Sequence, residues 1–206
     1  VLATVPRGHR RPQRDGAAPD ATVDAAFAEA LARITQANGG AVPRILLLAP
    51  AGATANHASV LLGVIGAIAT TGRRALGVDA GAATDDDAAL AQFAGTEGLA
   101  ELFNESTTLA EVTRSLEGSE ALFVSAGVAA TTEVAAEKTL RSVLTRFISR
   151  ADVVVTQVTS ENRLLNIPLI APYAEVAVVV VRYNHSSEAE LAQTVSQLRI
   201  AGVRPI

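Results

Sequence analysis

A three-layer, doubly wound α/β domain with a mostly parallel sheet is the fold class this sequence predicts. Two observations carry that expectation. Short apolar runs recur without polar alternation, the pattern of strands covered on both faces, and the segments between them repeat their apolar residues at helical spacing. A third observation bounds the size: 206 residues suffice for one domain with a sizeable core, since a chain of about 150 residues already buries roughly two-thirds of its unfolded surface.

The elements follow in order. Residues 1 to 22 hold Pro6, Pro12, Pro19, Gly8 and Gly16, with Arg7, Arg10, Arg11 and Arg14 among them. This is a linker composition. Its arginines suit either a solvated tether or an anionic membrane surface, where each basic side chain contributes about 1 kcal/mol. From residue 23 to 206 the chain reads as the α/β domain. Val23, Ala26, Phe27, Ala30, Leu31 and Ile34 lie at helical spacing and end at Asn38-Gly39-Gly40. Ile45 to Ala49 reads as a first buried strand, 58 to 70 as an apolar helix stopping at Gly72, and Ala75 to Val78 as a second strand ending at Asp79. Ala88 to Ala94 and Leu99 to Phe103 read as short helices. Leu122 to Ser125 is a third strand, Glu133 to Phe147 a long helix, Val153 to Thr156 a fourth strand and Val176 to Val181 a fifth. Glu188 to Ile200 closes as a helix, and Val203 opens a last strand.

Composition removes several function classes. Hydrophobic residues at 49% and charged residues at 18% exclude a disordered or collagenous chain. A net charge of −4 and 3% aromatics supply neither attraction nor stacking platforms for nucleic acid, so no nucleic-acid partner is expected. The absence of cysteine rules out disulfides, thiolate metal sites and cysteine nucleophiles, as suits a cytoplasmic location. No run of about 18 apolar residues spans a bilayer. With no methionine, Val1 reads as a point inside a longer chain. The single lysine, Lys138, sits in a helical stretch outside every glycine-rich turn.

In an open parallel sheet, ligands bind at the carboxyl ends of the strands. The loop from Ala49 to Ser59, between a buried strand and an apolar helix, has the position of a phosphate-binding loop. Such a loop needs glycines that turn backbone N–H groups to the phosphates, a lysine on the β and γ phosphates, and a hydroxyl on magnesium. Here Gly52 is the only glycine, and Asn56-His57-Ala58-Ser59 stand where glycine, lysine and the hydroxyls belong. Ser59 reads as a possible helix cap, and His57 as a loop histidine or an anion contact at a helix start.

The order of these segments resembles the cytoplasmic domains of bacterial tyrosine kinases and of related polysaccharide co-polymerases, within the MinD/ParA-like group of deviant P-loop proteins. The resemblance runs over essentially the whole chain. Val1 to Pro6 is similar to the stretch that follows the family's second transmembrane helix, the helix around Phe27 to its pre-core helix, and Gly72 to Asp79 to its second strand. Gly98 to Phe103 resembles its Gly-Leu-x-x-x-Leu/Phe helix, Ser125 to Gly127 the turn after its third strand, Ala171 to Arg182 the approach to its fifth, and Leu198 to Val203 its last helix and exit.

The departures fall on the nucleotide site. The family's Gly-Lys-Thr-Thr aligns with Asn56 to Ser59, and its Asp-x-Asp-x-Arg with Asp79 to Ala83, which keeps the first aspartate only. Its Walker B aspartate aligns with Gln157, or with Thr156 one residue earlier, and the acid after that loop with Asn166. Of the Glu-x-x-Arg-x-x-Arg-like assembly motif only Arg33 is present, and no tyrosine cluster occurs, Tyr173 and Tyr183 reading as packing residues. Asp85 to Asp87 read as a solvated helix start, and His9 and His185 belong to no Ser/His/Asp set. Phosphoryl transfer rests on positioning and on lysine- and carboxylate-held magnesium.

The resemblance with these losses implies a catalytically silent tyrosine-kinase-like cytoplasmic domain of a bacterial inner-membrane polysaccharide co-polymerase. Such a domain would act by contacts with polysaccharide assembly or export proteins, or by self-association, in exopolysaccharide chain-length control or export. Gly52, Asn56, His57, Ser59, Asp79 and Gln157 would form a relic nucleotide site without catalytic residue, metal or cofactor. Two alternatives stand beside it: a weak ATPase or tyrosine autokinase using ATP and magnesium at an atypical site with His57 and Asp79, and a soluble MinD/ParA-like adaptor.

Overall fold

The structure, a computed structural model, describes residue 4 and residues 21–52, 58–81, 95–116, 119–128, 137–158 and 165–206. The arginine-bearing segment 5–20, the first short helix read at Ala88 to Ala94, and Asp85 to Asp87 lie outside the described residues.

Helix α1 (Ala21–Ala37) buries Val23, Phe27, Leu31 and Ile34, spaced so that one stripe faces inward. Strand β1 (Ile45–Pro50) is buried along its whole length. Helix α2 (Ala58–Ala69) is buried on most of its circumference because it lies between α1 and the sheet. Gly63 allows that close packing: a Cβ there would stand 2.1 Å from Cε2 of the Phe27 ring. Strand β2 (Ala75–Ala80) is again fully buried. After it come helix α3 (Leu99–Phe103), helix α4 (Leu109–Val112), strand β3 (Arg114–Ser115) and strand β4 (Leu122–Val124). Helix α5 (Glu137–Arg150), strand β5 (Val153–Val158), helix α6 (Ile167–Ile170), a 3₁₀ turn at Ala171–Tyr173, strand β6 (Val176–Val180) and helix α7 (Glu188–Ile200) complete the elements of the described residues.

The six strands form one sheet in the order β3-β4-β2-β5-β1-β6, parallel except for β3 against β4. Successive strand residues serve two different cores, which is why the runs show no polar alternation. Leu46, Leu48, Val153 and Val155 join α1 and α2 on one side. Leu47, Leu76, Val154 and Ala177 join α5, α6 and α7 on the other. The doubly wound, three-layer α/β reading is the observed architecture.

Several details depart from the sequence reading. The fifth apolar run, β6, is buried at Val176 and Ala177 but only half-buried from Val178 to Val180, because it lies at the sheet edge. The segment opened by Val203 adds one parallel bridge, Ala177 to Pro205, with Ile206 N–H donating to the Ala177 carbonyl at 2.9 Å. It covers the lower part of that edge and is not a full strand. Tyr183, read as a packing residue, is 85% exposed in the turn before α7. Tyr173 is half-buried, its hydroxyl donating to Glu137 at 3.3 Å and its ring under the Arg141 guanidinium at 5.9 Å.

Across the start of the sheet, Arg74 and Asp152 clamp β2 to β5. Arg74 Nη2 donates to Asp152 Oδ1 at 2.8 Å, and the Arg74 N–H donates to Asp152 Oδ2 at 2.9 Å. The Arg74 side chain, then its backbone N–H, lowers the Asp152 carboxyl from 3.8 to about 2. A carboxyl depressed in the folded state adds stability above its unfolded pKa, and that stability is lost as pH falls through the folded value. Asp152→Asn is therefore expected to lower stability by a constant, modest amount above about pH 5 and to match the parent near pH 2. Urea denaturation at the two pH values measures the difference. A gap that is the same at both would overturn this account.

Candidate functional site

The carboxyl edge of β1, β2 and β5 is where the sequence places the site. Beyond β1, the loop begins with Ala51, whose N–H donates to the Val180 carbonyl at 2.9 Å, while the buried Thr194 hydroxyl of α7 donates to the Pro50 carbonyl at 2.9 Å. Gly52 follows with φ +93. The Glu190 carboxylate of α7 lies against it, since a Cβ on Gly52 would sit 2.6 Å from Glu190 Oε1. Glu190 accepts from the Ser187 N–H at 2.7 Å and from the Ser187 hydroxyl at 2.8 Å, closing the cap of α7. These bonds, the backbone one first, hold its carboxyl below the usual carboxylate range. A fixed negative charge thus stands at the mouth of the loop, where it opposes a bound phosphate.

Asn56 and His57 lie outside the described residues. Ser59 is exposed within the first turn of α2, so it is not the helix cap that the sequence suggested. Asp79 and Gln157 are brought together. They are register partners on β2 and β5, 6% and 4% exposed. Asp79 Oδ1 accepts the Gly81 N–H at 2.8 Å and the Gln157 Nε2 amide at 3.4 Å. It is Gln157, not Thr156, that meets Asp79. The Gln157 Oε1 atom and the Thr156 hydroxyl are buried without a hydrogen-bond partner.

One carboxylate committed to backbone and amide donors, beside a neutral amide, does not fit magnesium held through paired carboxylates. Among the described residues, no group of three or more His, Asp or Glu side chains is placed to hold a metal ion. Asn166 caps α6, its Oδ1 accepting the Leu169 N–H at 3.1 Å. Arg33 pairs with Glu29 one turn earlier on α1 at 2.5 Å. His185 is exposed in the turn before α7.

One residue of this edge escaped the sequence reading. Glu101 of α3 is 6% exposed, and its carboxylate accepts the Gly98 N–H at 2.7 Å through Oε2 and the Val128 N–H at 3.0 Å through Oε1. It staples α3 to the loop after β4, alongside the Leu99 N–H donated to the Ser125 carbonyl at 2.8 Å. Gly98 has no side chain to complete a capping box, so only its glutamate half is present, and a glutamate three residues after the residue before the helix was the available signal.

No protein-family model and no curated protein sequence matches this chain. Solved structures do share its fold. The chimerical protein CapA2B2 superposes with a TM-score of 0.80 at 15% identity, over 100% of this chain and 90% of that one. The kinase domain of the Escherichia coli tyrosine kinase ETK gives 0.78 at 17% identity, over 100% and 87%. The septum site-determining protein MinD from Pyrococcus horikoshii, complexed with Mg-ADP, gives 0.59 at 15% identity, over 79% and 67%. The chain has the fold of bacterial tyrosine kinase domains and MinD/ParA-like P-loop proteins. Among the described residues, no helix is long and apolar enough to cross a membrane.

Proposed function

We propose that this chain is a catalytically silent, tyrosine-kinase-like cytoplasmic domain of a bacterial inner-membrane polysaccharide co-polymerase. It acts by contacts with assembly or export proteins, or with its own copies, in chain-length control or export of an exopolysaccharide. The observation that carries the reading is the Asp79–Gln157 pair. The single acid retained at the crevice accepts a neutral amide from the strand position where the resemblance places a metal-binding carboxylate. The Glu190 carboxylate against Gly52 supports it from the other side of the crevice.

Titration calorimetry with ATP and magnesium tests this. Losing about 2 kcal/mol at each of two or three contacts takes a micromolar site into the millimolar range or beyond. The expected result is millimolar binding or none, with no phosphotyrosine formed on incubation with ATP. His57→Lys alone is not expected to restore affinity, because the second acid and the loop glycines are still missing. Micromolar affinity in the parent, or phosphotyrosine that vanishes in His57→Ala, would overturn the silent reading in favour of an atypical autokinase.

A further inference from the structure

The direction of the strands sorts the charges of this domain. Because β1, β2, β4, β5 and β6 run parallel, they all start on one edge of the sheet, opposite the edge that carries Gly52, Asp79 and Gln157. Arg44 immediately precedes β1, and Arg73 and Arg74 precede β2. Arg146 and Arg150 lie in the last turns of α5, Arg199 in the last turn of α7, and Arg204 on the segment paired with β6. All seven are exposed. The acids of this edge among the described residues are Glu120, Asp152 and Glu175; Asp152 is taken up by Arg74 with Arg73 nearby, and Glu175 Oε2 accepts the Arg44 backbone N–H at 3.1 Å.

Among the described residues, none of Arg44, Arg73, Arg146, Arg150, Arg199 and Arg204 forms an ion pair. The helix dipole accounts for a cation at the end of α5 and of α7, and not for those at the strand starts. Beside Arg199, Ile200 is 84% exposed at the same edge. A large bare aliphatic side chain among arginines that, Arg74 apart, form no ion pair with a described residue suits an interface that is anionic at its surface and apolar just below.

We infer that this strand-start edge docks on an anionic lipid bilayer, its arginines at the headgroups and Ile200 in the interfacial layer. With a net charge of −4 overall, the part of the domain outside this edge and outside the arginine-bearing segment before α1 is net negative and is repelled by the same surface, so docking is oriented: the strands point away from the bilayer and the Asp79–Gln157 edge faces outward. This surface differs from the arginine-bearing segment before α1, and docking there is independent of whether the crevice binds nucleotide.

Co-sedimentation of the full chain with phosphatidylcholine vesicles, about a third of the lipid replaced by phosphatidylglycerol, tests it. Each arginine near such a surface is worth about fivefold in partitioning. Arg73→Glu, Arg150→Glu and Arg199→Glu combined are therefore expected to lower binding roughly a hundredfold or more. Reversing Lys138, Arg141 and Arg182 at the other edge changes the net charge equally and is expected to cost less than about tenfold. Ile200→Ser is expected to weaken vesicle binding severalfold while leaving retention on dextran sulfate unchanged. Thermal midpoints report folding, and Arg→Gln at the same three positions repeats the comparison for any reversal that lowers the midpoint. Equal losses from the two triple variants, a loss seen only when Arg7, Arg10, Arg11 and Arg14 are replaced by serine, or parent-like vesicle binding by Ile200→Ser would each overturn the proposal. The last outcome would point to a soluble anionic polymer instead.

Discussion

Gln157→Glu is expected to destabilise the domain by about 3 kcal/mol at pH 7, although the two side chains have the same shape. The amide now donates to Asp79 Oδ1 at 3.4 Å, with both residues more than nine-tenths buried. A carboxylate in its place sets two like charges in a dry pocket, and burial and repulsion both raise the pKa of the introduced group. For an acid whose folded pKa is raised, the penalty is absent below its unfolded value near about 4.3 and complete above the folded value. The gap from the parent should therefore open as pH rises from about 4 to 8. Millimolar magnesium should narrow it in the variant and leave the parent unchanged. Urea denaturation across that range measures all three effects, and a variant as stable as the parent at pH 7 would show that the pair is not the buried contact described.

The second large effect concerns the contact of α1 with α2. Phe27→Ala is expected to cost about 4 kcal/mol, as truncation of a buried aromatic side chain does. Gly63→Ala should cost about 2 kcal/mol in the parent, because the added methyl meets the Phe27 ring well inside contact distance. In the Phe27→Ala background, the same Gly63→Ala change should be neutral or stabilising, since the space is empty and alanine is the better helix former. The sign change is the discriminating result in a double-mutant cycle. Additive costs would mean that the two helices do not pack through this pair.

Most of the fold was legible from local pattern. The buried strands and the longer helices appear as apolar runs and helical stripes because each is long enough to show its period, as with Val23, Phe27, Leu31 and Ile34. What escaped was short. Arg114–Ser115 spans 2 residues and Leu109–Val112 spans 4, too few for any period. The second of these was marked by its capping box, Thr108 with Glu111, whose carboxyl is held below its ordinary range first by the Thr108 hydroxyl. Glu101 escaped because a carboxylate on a short helix reads as a solvent residue until the loop after β4 folds over it.

The partnership of Asp79 with Gln157 joins residues 78 positions apart. Each was legible as a strand-end residue at the crevice, and their contact depends on a strand order that no local pattern encodes. The position of Glu190 against Gly52 is hidden for the same reason, because α7 returns to β1 only through the closed fold.

That strand order also sets how the chain can assemble during synthesis. β1 pairs with β5 and β6, both more than a hundred residues downstream, and β5 lies between β2 and β1. At about 5–20 residues per second, a ribosome takes roughly 5–20 s to supply the missing neighbour. For that interval two of the most apolar segments of the chain, β1 and α2, have α1 to cover them but no strand between β1 and β2. The sheet cannot grow outward one strand at a time from β1; it closes by insertion, when β5 arrives between β1 and β2. Until that strand leaves the exit tunnel, the facing edges of β1 and β2 in the nascent domain are unpaired strand edges, open to pairing with another chain.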